Sequence, residues 1–447
     1  MATATTASKT FRRGGVHPDE RKERTSGLPL QRSEPPAVVA VPMVQHIGAP
    51  AAPVVKKKDE VKKGQLIGEA QGYISANLHA PVSGAVKAVE PRIYSVTGDR
   101  VPTVVIENDG EEQWAEGCNV RQDVESMDVA RMVDLVQECG VVGLGGATFP
   151  SHVKLNPPAD TPVTDVFING AECEPCVTVD HRLMLERTEE LVDGLKLIMR
   201  MVDAENGYVG IERNKPDAIE AFHEALADQP DISVLPLRVK YPQGAEQQLI
   251  TAATGREVPS EGGLPSDVGC LVHNVATALA IRDAVRFRVP LIERAVTVTG
   301  DGVEKAGNFI ERVGTNVGDI LERQGVREGV NQLILGGPMM GIAQATFDVP
   351  LVKGNNCLIL RRHVRVPEQR ACIRCGRCVR HCPLGLMPGE MSIAEENMDW
   401  DKAVEYGMLE CKECGCCAYV CPARRRIVHM TKFGKAELRR RKQMEGE

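Results

Sequence analysis

The chain's 447 residues exceed one ordinary domain and leave room for three or four. A net charge of −7 argues against a nucleic-acid binder, and no run approaches the roughly 18 consecutive apolar residues of a membrane span. Nine of the fifteen cysteines fall between Cys372 and Cys421; with Gly14-Gly15 after Arg12-Arg13 in place of an apolar export signal, they point to metal ligation in a cytosolic chain rather than a disulfide scaffold.

Residues 1–30 read as a polar tail. Short β segments follow at Val38–Val44, Pro53–Val55, Gln65–Glu69, Ala85–Glu90 and Thr103–Glu107, punctuated by Lys63-Gly64, Ser83-Gly84 and Gly98-Asp99, which predicts an all-β domain over 31–115. From Ser126, a candidate N-cap, the apolar period lengthens to that of a helix through Val129, Met132, Val133 and Val136. A glycine-rich stretch, a strand at Val163–Asn169, one long helix at 180–202, a helix from Pro216 and a strand at Ile232–Val239 then alternate, which predicts an α/β domain with a largely parallel sheet over 120–286. Strands near Arg294–Thr299 and Asn331–Leu335 mark a small α/β module at 287–355. The last segment, 356–447, reads as short helices around cysteine clusters and ends in the basic run Arg439–Lys442, a solvated helix face.

Cys372, Cys375, Cys378 and Cys382 spell C-x2-C-x2-C-x3-C before Pro383, and Cys411, Cys414, Cys417 and Cys421 repeat that spacing before Pro422. This is the pattern of two-cluster [4Fe–4S] proteins, in which the fourth cysteine of each run ligates the other cluster. It assigns Cys372, Cys375, Cys378 and Cys421 to one cluster, and Cys411, Cys414, Cys417 and Cys382 to the other. A zinc site would need four ligands, usually as two CxxC knuckles, rather than two identical runs of four. Spacing leaves Cys416 packed beside a cluster, and Cys173 with Cys176 is an isolated CxxC lacking two ligands, read as buried thiols.

The loop Gly143-Leu144-Gly145-Gly146-Ala147-Thr148-Phe149-Pro150 has no Walker A lysine, and Thr148 stands at the third glycine position of the dinucleotide fingerprint. Its backbone N–H groups could approach a phosphate or a flat ring; the alternative is a tight packing turn. Just beyond the strand at 163–169, Asn169, Glu172 and Glu174 lie where open α/β sheets bind ligands, in position to accept bonds from ribose hydroxyls or a flavin N–H unless the loop is simply solvated.

These stretches, together with Gly14-Gly15-Val16-His17-Pro18, Gln45-His46-Ile47-Gly48-Ala49-Pro50 and Gly336-Gly337-Pro338-Met339-Met340-Gly341, resemble over nearly the whole chain the RnfC family, peripheral subunits of Rnf ion-translocating NAD:ferredoxin oxidoreductases. The middle also resembles the flavin-binding subunit of respiratory complex I. The resemblance implies a multidomain α+β and α/β architecture: an N-terminal barrel-sandwich (biotinyl/lipoyl-like), a Rossmann-like flavin and nucleotide domain, a β-grasp module and a C-terminal helical two-cluster ferredoxin-like domain. The tip of the barrel-sandwich hairpin, Gln71 to Asn77, has no lysine, so no lipoyl or biotinyl group is expected.

By the same resemblance, Gly143, Gly145, Gly146 and Lys154 hold FMN, Asn169 and Glu172 face the flavin, and Glu174 faces NADH. Phe149 stacks on the nicotinamide nucleotide, Tyr241, Gly244 and Glu246 belong to a further flavin and nucleotide loop, and Asn274 touches FMN. Leu144, Ala171 and His273 depart from the pattern, standing where an arginine, an acid and an asparagine are usual. The implied cofactors are FMN, NAD(H) and two [4Fe–4S] clusters. The implied partners are the other subunits of a membrane-embedded electron-transport complex, with ferredoxin reached indirectly, at the cytoplasmic face of the membrane. No acid or base is needed for hydride transfer. A soluble flavin/iron–sulfur cobalamin reductase and a pure electron relay without nucleotide binding are the alternatives.

Overall fold

The computed structural model describes residues 8–260 and 262–445; residues 1–7 of the expected tail and the Lys442 side chain of the basic run lie outside them. The remainder of the expected tail is not loose. Phe11 and Val16 are buried, Lys9 and Val16 bridge to Leu237 and Tyr241, and β1 (Leu30–Arg32) pairs with a strand near residue 310. Two apolar side chains in a polar stretch are too sparse to give a period, so the docking was not legible in the sequence.

Seven strands follow: β2 (Val38–Pro42), β3 (Ala52–Pro53), β4 (Glu60–Val61), β5 (Leu66–Glu69), β6 (Leu78–His79), β7 (Gly84–Ile93) and β8 (Arg100–Asn108). They form a four-stranded sheet, β2-β8-β7-β4, and a three-stranded sheet, β3-β5-β6. Side chains alternate along each strand, so Val39, Val41, Ile67, Leu78, Val104 and Ile106 meet in one shared core.

The next region holds α1 (Val129–Glu138), α2 (Ser151–Lys154), β9 (Asp165–Gly170), α3 (Val179–Glu186), α4 (Thr188–Val202), β10 (Asn206–Glu212), α5 (Pro216–Ala225), β11 (Ile232–Leu237), α6 (Glu246–Thr254), β12 (Cys270–Asn274) and α7 (Val275–Phe287). Asp128 caps α1 by accepting from the Arg131 amide at 2.7 Å, while Ser126 bonds back to Asp123. The expected single helix at 180–202 breaks at Arg187, whose φ of −136° leaves the helical region. All four strands run parallel in the order β11-β10-β9-β12. The chain steps from β9 to β10 and β11 on one side and returns to β12 on the other. That reversal opens a crevice beyond the carboxyl ends of β9 and β12.

A six-stranded mixed sheet follows, built from β13 (Glu293–Thr299), β14 (Gly307–Arg312), β15 (Val330–Leu335), β16 (Ile342–Gln344) and β17 (Cys357–Arg362), with α8 (Val317–Gln324) on it. Its order is β1-β14-β13-β17-β15-β16, so the module takes in β1 from the N-terminal segment and runs past the expected boundary at 355. The chain ends with α9 (Arg377–His381), α10 (Pro388–Glu396), α11 (Trp400–Glu405), α12 (Cys416–Tyr419) and α13 (Ile427–Glu445), gathered on a small core of Met391, Ala394, Ala403 and Met408.

Candidate electron-transfer site

The glycine loop closes where the Gly143 amide donates to the Phe149 carbonyl at 2.8 Å. Leu144 is buried and pinned from both sides: its amide donates to Thr277 Oγ1 at 2.8 Å, and its carbonyl accepts from Arg294 Nη2 at 2.7 Å. This leaves residues 145–147 exposed toward the crevice. Gly146 has a φ of +114°, a region that residues with a Cβ rarely enter, and a Cβ on Gly145 would lie 3.3 Å from Asn274 Cβ.

Asn274 caps α7, accepting from the Ala276 amide at 2.9 Å and donating to Asp180 Oδ2 at 2.6 Å. Lys154 donates to the Val272 carbonyl at 3.0 Å and pairs with Glu246, the first residue of α6. An open glycine backbone, the positive end of a 13-residue helix and a lysine therefore share one crevice, a donor set that fits a phosphate and leaves room for a flat ring beside it. His273 is buried with Nε2 unpartnered, and burial holds its pKa down to about 3, so it adds no charge.

A strap, residues 241–246, crosses the same crevice. Asn169 at the end of β9 donates to the Gly244 carbonyl at 2.7 Å, and the Gly244 amide points at Cys173 Sγ at 3.3 Å. A Cβ on Gly244 would press on Ala171 and on Cys173 Sγ, both at 3.3 Å. Phe149 stands half-buried at the end of the glycine loop.

Three further residues expected at the flavin or nucleotide also have protein partners, as Asn169, Lys154, Glu246 and Asn274 do. Glu172 accepts from the Asp180 and His181 amides at the start of α3, at 2.7 and 3.3 Å, and pairs with Lys22 at 3.4 Å. Glu174 accepts from the amides of Met339 and Met340 at 3.0 and 2.9 Å, and burial raises its pKa to about 7. Tyr241 is buried, and its hydroxyl donates to the Cys414 carbonyl at 2.7 Å. Lys22, Met339 and Cys414 lie 150, 165 and 173 residues from Glu172, Glu174 and Tyr241, so local spacing carries no sign of those contacts; the Asp180 and His181 amides are only eight and nine residues from Glu172.

The two cysteine runs have the same backbone shape. Counted from the first cysteine of each run, positive φ angles recur at Arg374 (51°) and Glu413 (57°), Gly376 (70°) and Gly415 (82°), and Gly385 (71°) and Arg424 (52°). The Arg374 and Glu413 amides point at Cys372 and Cys411 Sγ at 3.4 and 3.3 Å. Cys382, Cys411, Cys414, Cys416 and Cys417 border one cavity, closed by Pro242, Ala245, Gln248, Val428 and Thr431. Cys378 lies close enough to Cys421 for their charges to interact. Among the described residues no three His, Cys, Asp or Glu side chains converge on a point as a single ion requires. Thiols spread around a cavity instead suit a cubane, and the repeated spacing picks Cys382, Cys411, Cys414 and Cys417 from the five. Cys416 takes the place of Arg377 in the other run, as the first residue of α12, and packs with Val16 and Tyr241.

A separate cavity of about 660 Å³ lies behind Leu144, between α3, α7 and β13. Its Arg312 and Lys63 pair with Glu112 and its Arg187 with Asp283, while Arg294, which also lines it, donates to two carbonyls and keeps a buried Nη1 without a partner.

Three family models match this chain: the RnfC barrel sandwich hybrid domain over residues 9–111, the Nuo51 FMN-binding domain over 136–283 and a 4Fe-4S dicluster domain over 365–422. A subunit of the proton-translocating ferredoxin:NAD(+) oxidoreductase complex of Clostridium ljungdahlii is 44% identical over 436 residues, spanning 96% of this chain and 94% of that one. Its counterpart in the Na(+)-translocating complex of Acetobacterium woodii is 43% identical over 429 residues, spanning 95% and 96%. The chain belongs to the RnfC family. A solved NAD+-reducing [NiFe]-hydrogenase in its H2-reduced state shares the fold, with a TM-score of 0.50 and 17% identity over 73% of this chain and 69% of that one.

As an RnfC chain it carries an FMN-binding domain and a 4Fe-4S dicluster domain, and both donor sets fit these groups. Four residues that build the site escaped the sequence reading: Lys22, Asp180, Thr277 and Arg294. Arg294 left a trace, as a charged residue opening an otherwise apolar strand; it is fully buried and also donates to the Asn355 carbonyl at 2.8 Å. Thr277 stands three residues beyond the cap Asn274, in the first turn of α7.

Proposed function

We propose that this chain is the peripheral NADH/FMN/iron–sulfur subunit of an ion-translocating NAD:ferredoxin oxidoreductase, held at the cytoplasmic face of the membrane by other subunits. One observation carries the electron-transfer reading. The strap 241–246 has Gly244 and Glu246 on the flavin crevice, while Tyr241, Pro242 and Ala245 abut the cavity bordered by Cys382, Cys411, Cys414 and Cys417. Two redox sites thus share one short segment of backbone.

FMN supplies a two-electron hydride acceptor that can release electrons singly to the clusters. The backbone at Gly143, Gly145 and Gly146 admits the flavin closely, and Lys154 with the α7 terminus at Asn274 neutralises its phosphate. Asn169 and Gly244 hold the strap against the crevice, Phe149 offers a ring to the nicotinamide nucleotide, and Glu246 orients Lys154. Glu172 and Glu174 act as positioning residues, fixing α3 and the 336–341 loop. Cys372, Cys375, Cys378 and Cys421 ligate one cluster and Cys411, Cys414, Cys417 and Cys382 the other.

Relatives are named as subunits of ion-translocating complexes, and no helix among the described residues is long and apolar enough to cross a membrane, which supports attachment through partners. Anaerobically purified protein should contain FMN and about eight irons, and should reduce an artificial acceptor with NADH. Full iron without flavin or NADH activity would reduce the chain to an electron relay.

A further inference from the structure

Two opposite charges are buried behind the glycine loop and the start of α7, and neither is fully partnered. Arg294, on β13, is 1% exposed, and Asp180, in the first turn of α3, is 5% exposed. Arg294 donates from Nη2 to the Leu144 carbonyl and from Nε to the Asn355 carbonyl, while Nη1 has no partner. Asp180 Oδ2 accepts from the Asn274 side-chain amide at 2.6 Å, while Oδ1 has no partner. The two groups are close enough for their charges to interact. Residues 143–150 carry no charge of their own, so the cation at the loop comes from β13, 150 positions beyond Leu144.

Stability does not account for such a pair. Buried opposite charges are often no more stable than apolar side chains of the same volume, and here hydrogen bonding is incomplete on both. The neighbouring Glu172 makes the contrast, accepting from the Asp180 and His181 amides and pairing with Lys22 at 3.4 Å. Burial, with the Glu172 carboxylate, pushes the Asp180 pKa up to about 6, while Arg294 and the Asn274 amide hold it down. Burial lowers Arg294 to about 10. At pH 8 both groups are therefore charged, in a wall where little water screens them. What they share is attachment to the crevice that fits FMN, Arg294 through the glycine loop and Asp180 through the cap of α7.

We propose that Arg294 and Asp180 are positioning residues that set the reduction potential of the flavin, acting with opposite sign across Leu144 and Asn274. The inference rests on the flavin reading above. Reducing FMN adds negative charge to the crevice. A fixed cation in the wall favours the reduced form, and a fixed anion favours the oxidised form. In the unaltered chain the two offset each other, so removing either one exposes the other.

The test uses the full chain with its clusters assembled and FMN supplied, at pH 8. Flavin content is measured first, then the midpoint potential of the bound flavin by spectroelectrochemical titration. Asp180→Asn, which keeps an acceptor for Asn274, should raise the potential, and Arg294→Gln should lower it. Each shift should reach about 30 mV, equivalent to a tenfold change in the relative affinity for reduced and oxidised flavin in a two-electron couple. The double variant should return toward the unaltered value. Arg294→Lys, which keeps the charge but not the fork between two carbonyls, should stay near it, whereas a purely structural arginine would not be rescued. An unaltered chain that holds its irons but binds no FMN would defeat the flavin reading, and the proposal with it. With FMN bound, shifts of the same sign in the two single variants, or no shift, would overturn the proposal alone. If Arg294→Gln does not fold, Asp180→Asn decides: a potential unchanged or lowered overturns the proposal, and a raised one supports it.

Discussion

Gly14, Gln45 and Gly337 belong to the three conspicuous motifs outside the flavin and cysteine segments, and none of them faces the flavin crevice. A Cβ on Gly14 would lie 2.5 Å from the Cys382 carbonyl, and one on Gly337 would lie 2.3 Å from Glu174 Oε2. Gln45 Oε1 accepts from the Lys353 amide at 3.0 Å, and the Ile47 amide donates to the Thr148 carbonyl at 3.3 Å. These residues are joints between modules, which sequence reading had no means to separate from ligand contacts. The cysteine spacing was legible because ligand geometry imposes a local period; the role of Cys416 was legible only in part, since two adjacent cysteines allow two registers. Its equivalence to Arg377 now fixes an expectation. Cys416→Ser should keep about eight irons per chain, while Cys417→Ser should lose about four. The reverse pattern in iron analysis would show that the loop wraps in the other register.

Among the elements, strands and helices with a clean apolar period were anticipated well, and β2, β5, β9, α5 and β13 fall within a few residues of expectation. The break at Arg187 and the recruitment of β1 were not, because both answer to distant packing rather than to local propensity. The loop 336–341 was visible only as a glycine-rich signature. Its function as a clamp came from Glu174, 165 residues away along the chain from Met339. That contact has a pH signature. Burial raises the Glu174 pKa from 4.5 to about 7, so the folded chain keeps a proton that the unfolded chain releases. Its stabilising contribution is complete below the ordinary carboxylate value and is lost as pH rises through about 7. Thermal unfolding followed from pH 5 to pH 8 should therefore show a falling Tm, and Glu174→Gln should flatten part of that fall. Identical slopes in the two proteins would mean that Glu174 does not titrate in this window.

Across the whole molecule, the modules are arranged so that the flavin crevice and the inner cysteine cavity meet at one strap. The fold class of each module was readable from periodicity and from the cysteine pattern. Their convergence was not, because it depends on Val16, Tyr241, Glu174 and Gly415, which are scattered along the chain yet packed around one point. The central claim is that electrons from NADH reach the clusters only by way of the glycine-loop flavin. The most direct measurement is the electron paramagnetic resonance of anaerobic protein reduced with NADH and, separately, with dithionite, in the unaltered chain and in Gly145→Val. At position 145 a valine Cβ would stand 3.3 Å from Asn274 and its methyls would intrude on the crevice, so flavin should be lost while the cysteine runs stay untouched. The account predicts reduced-cluster signals with both reductants in the unaltered chain, but with dithionite alone in the variant. Full reduction by NADH in a flavin-free Gly145→Val protein would contradict it.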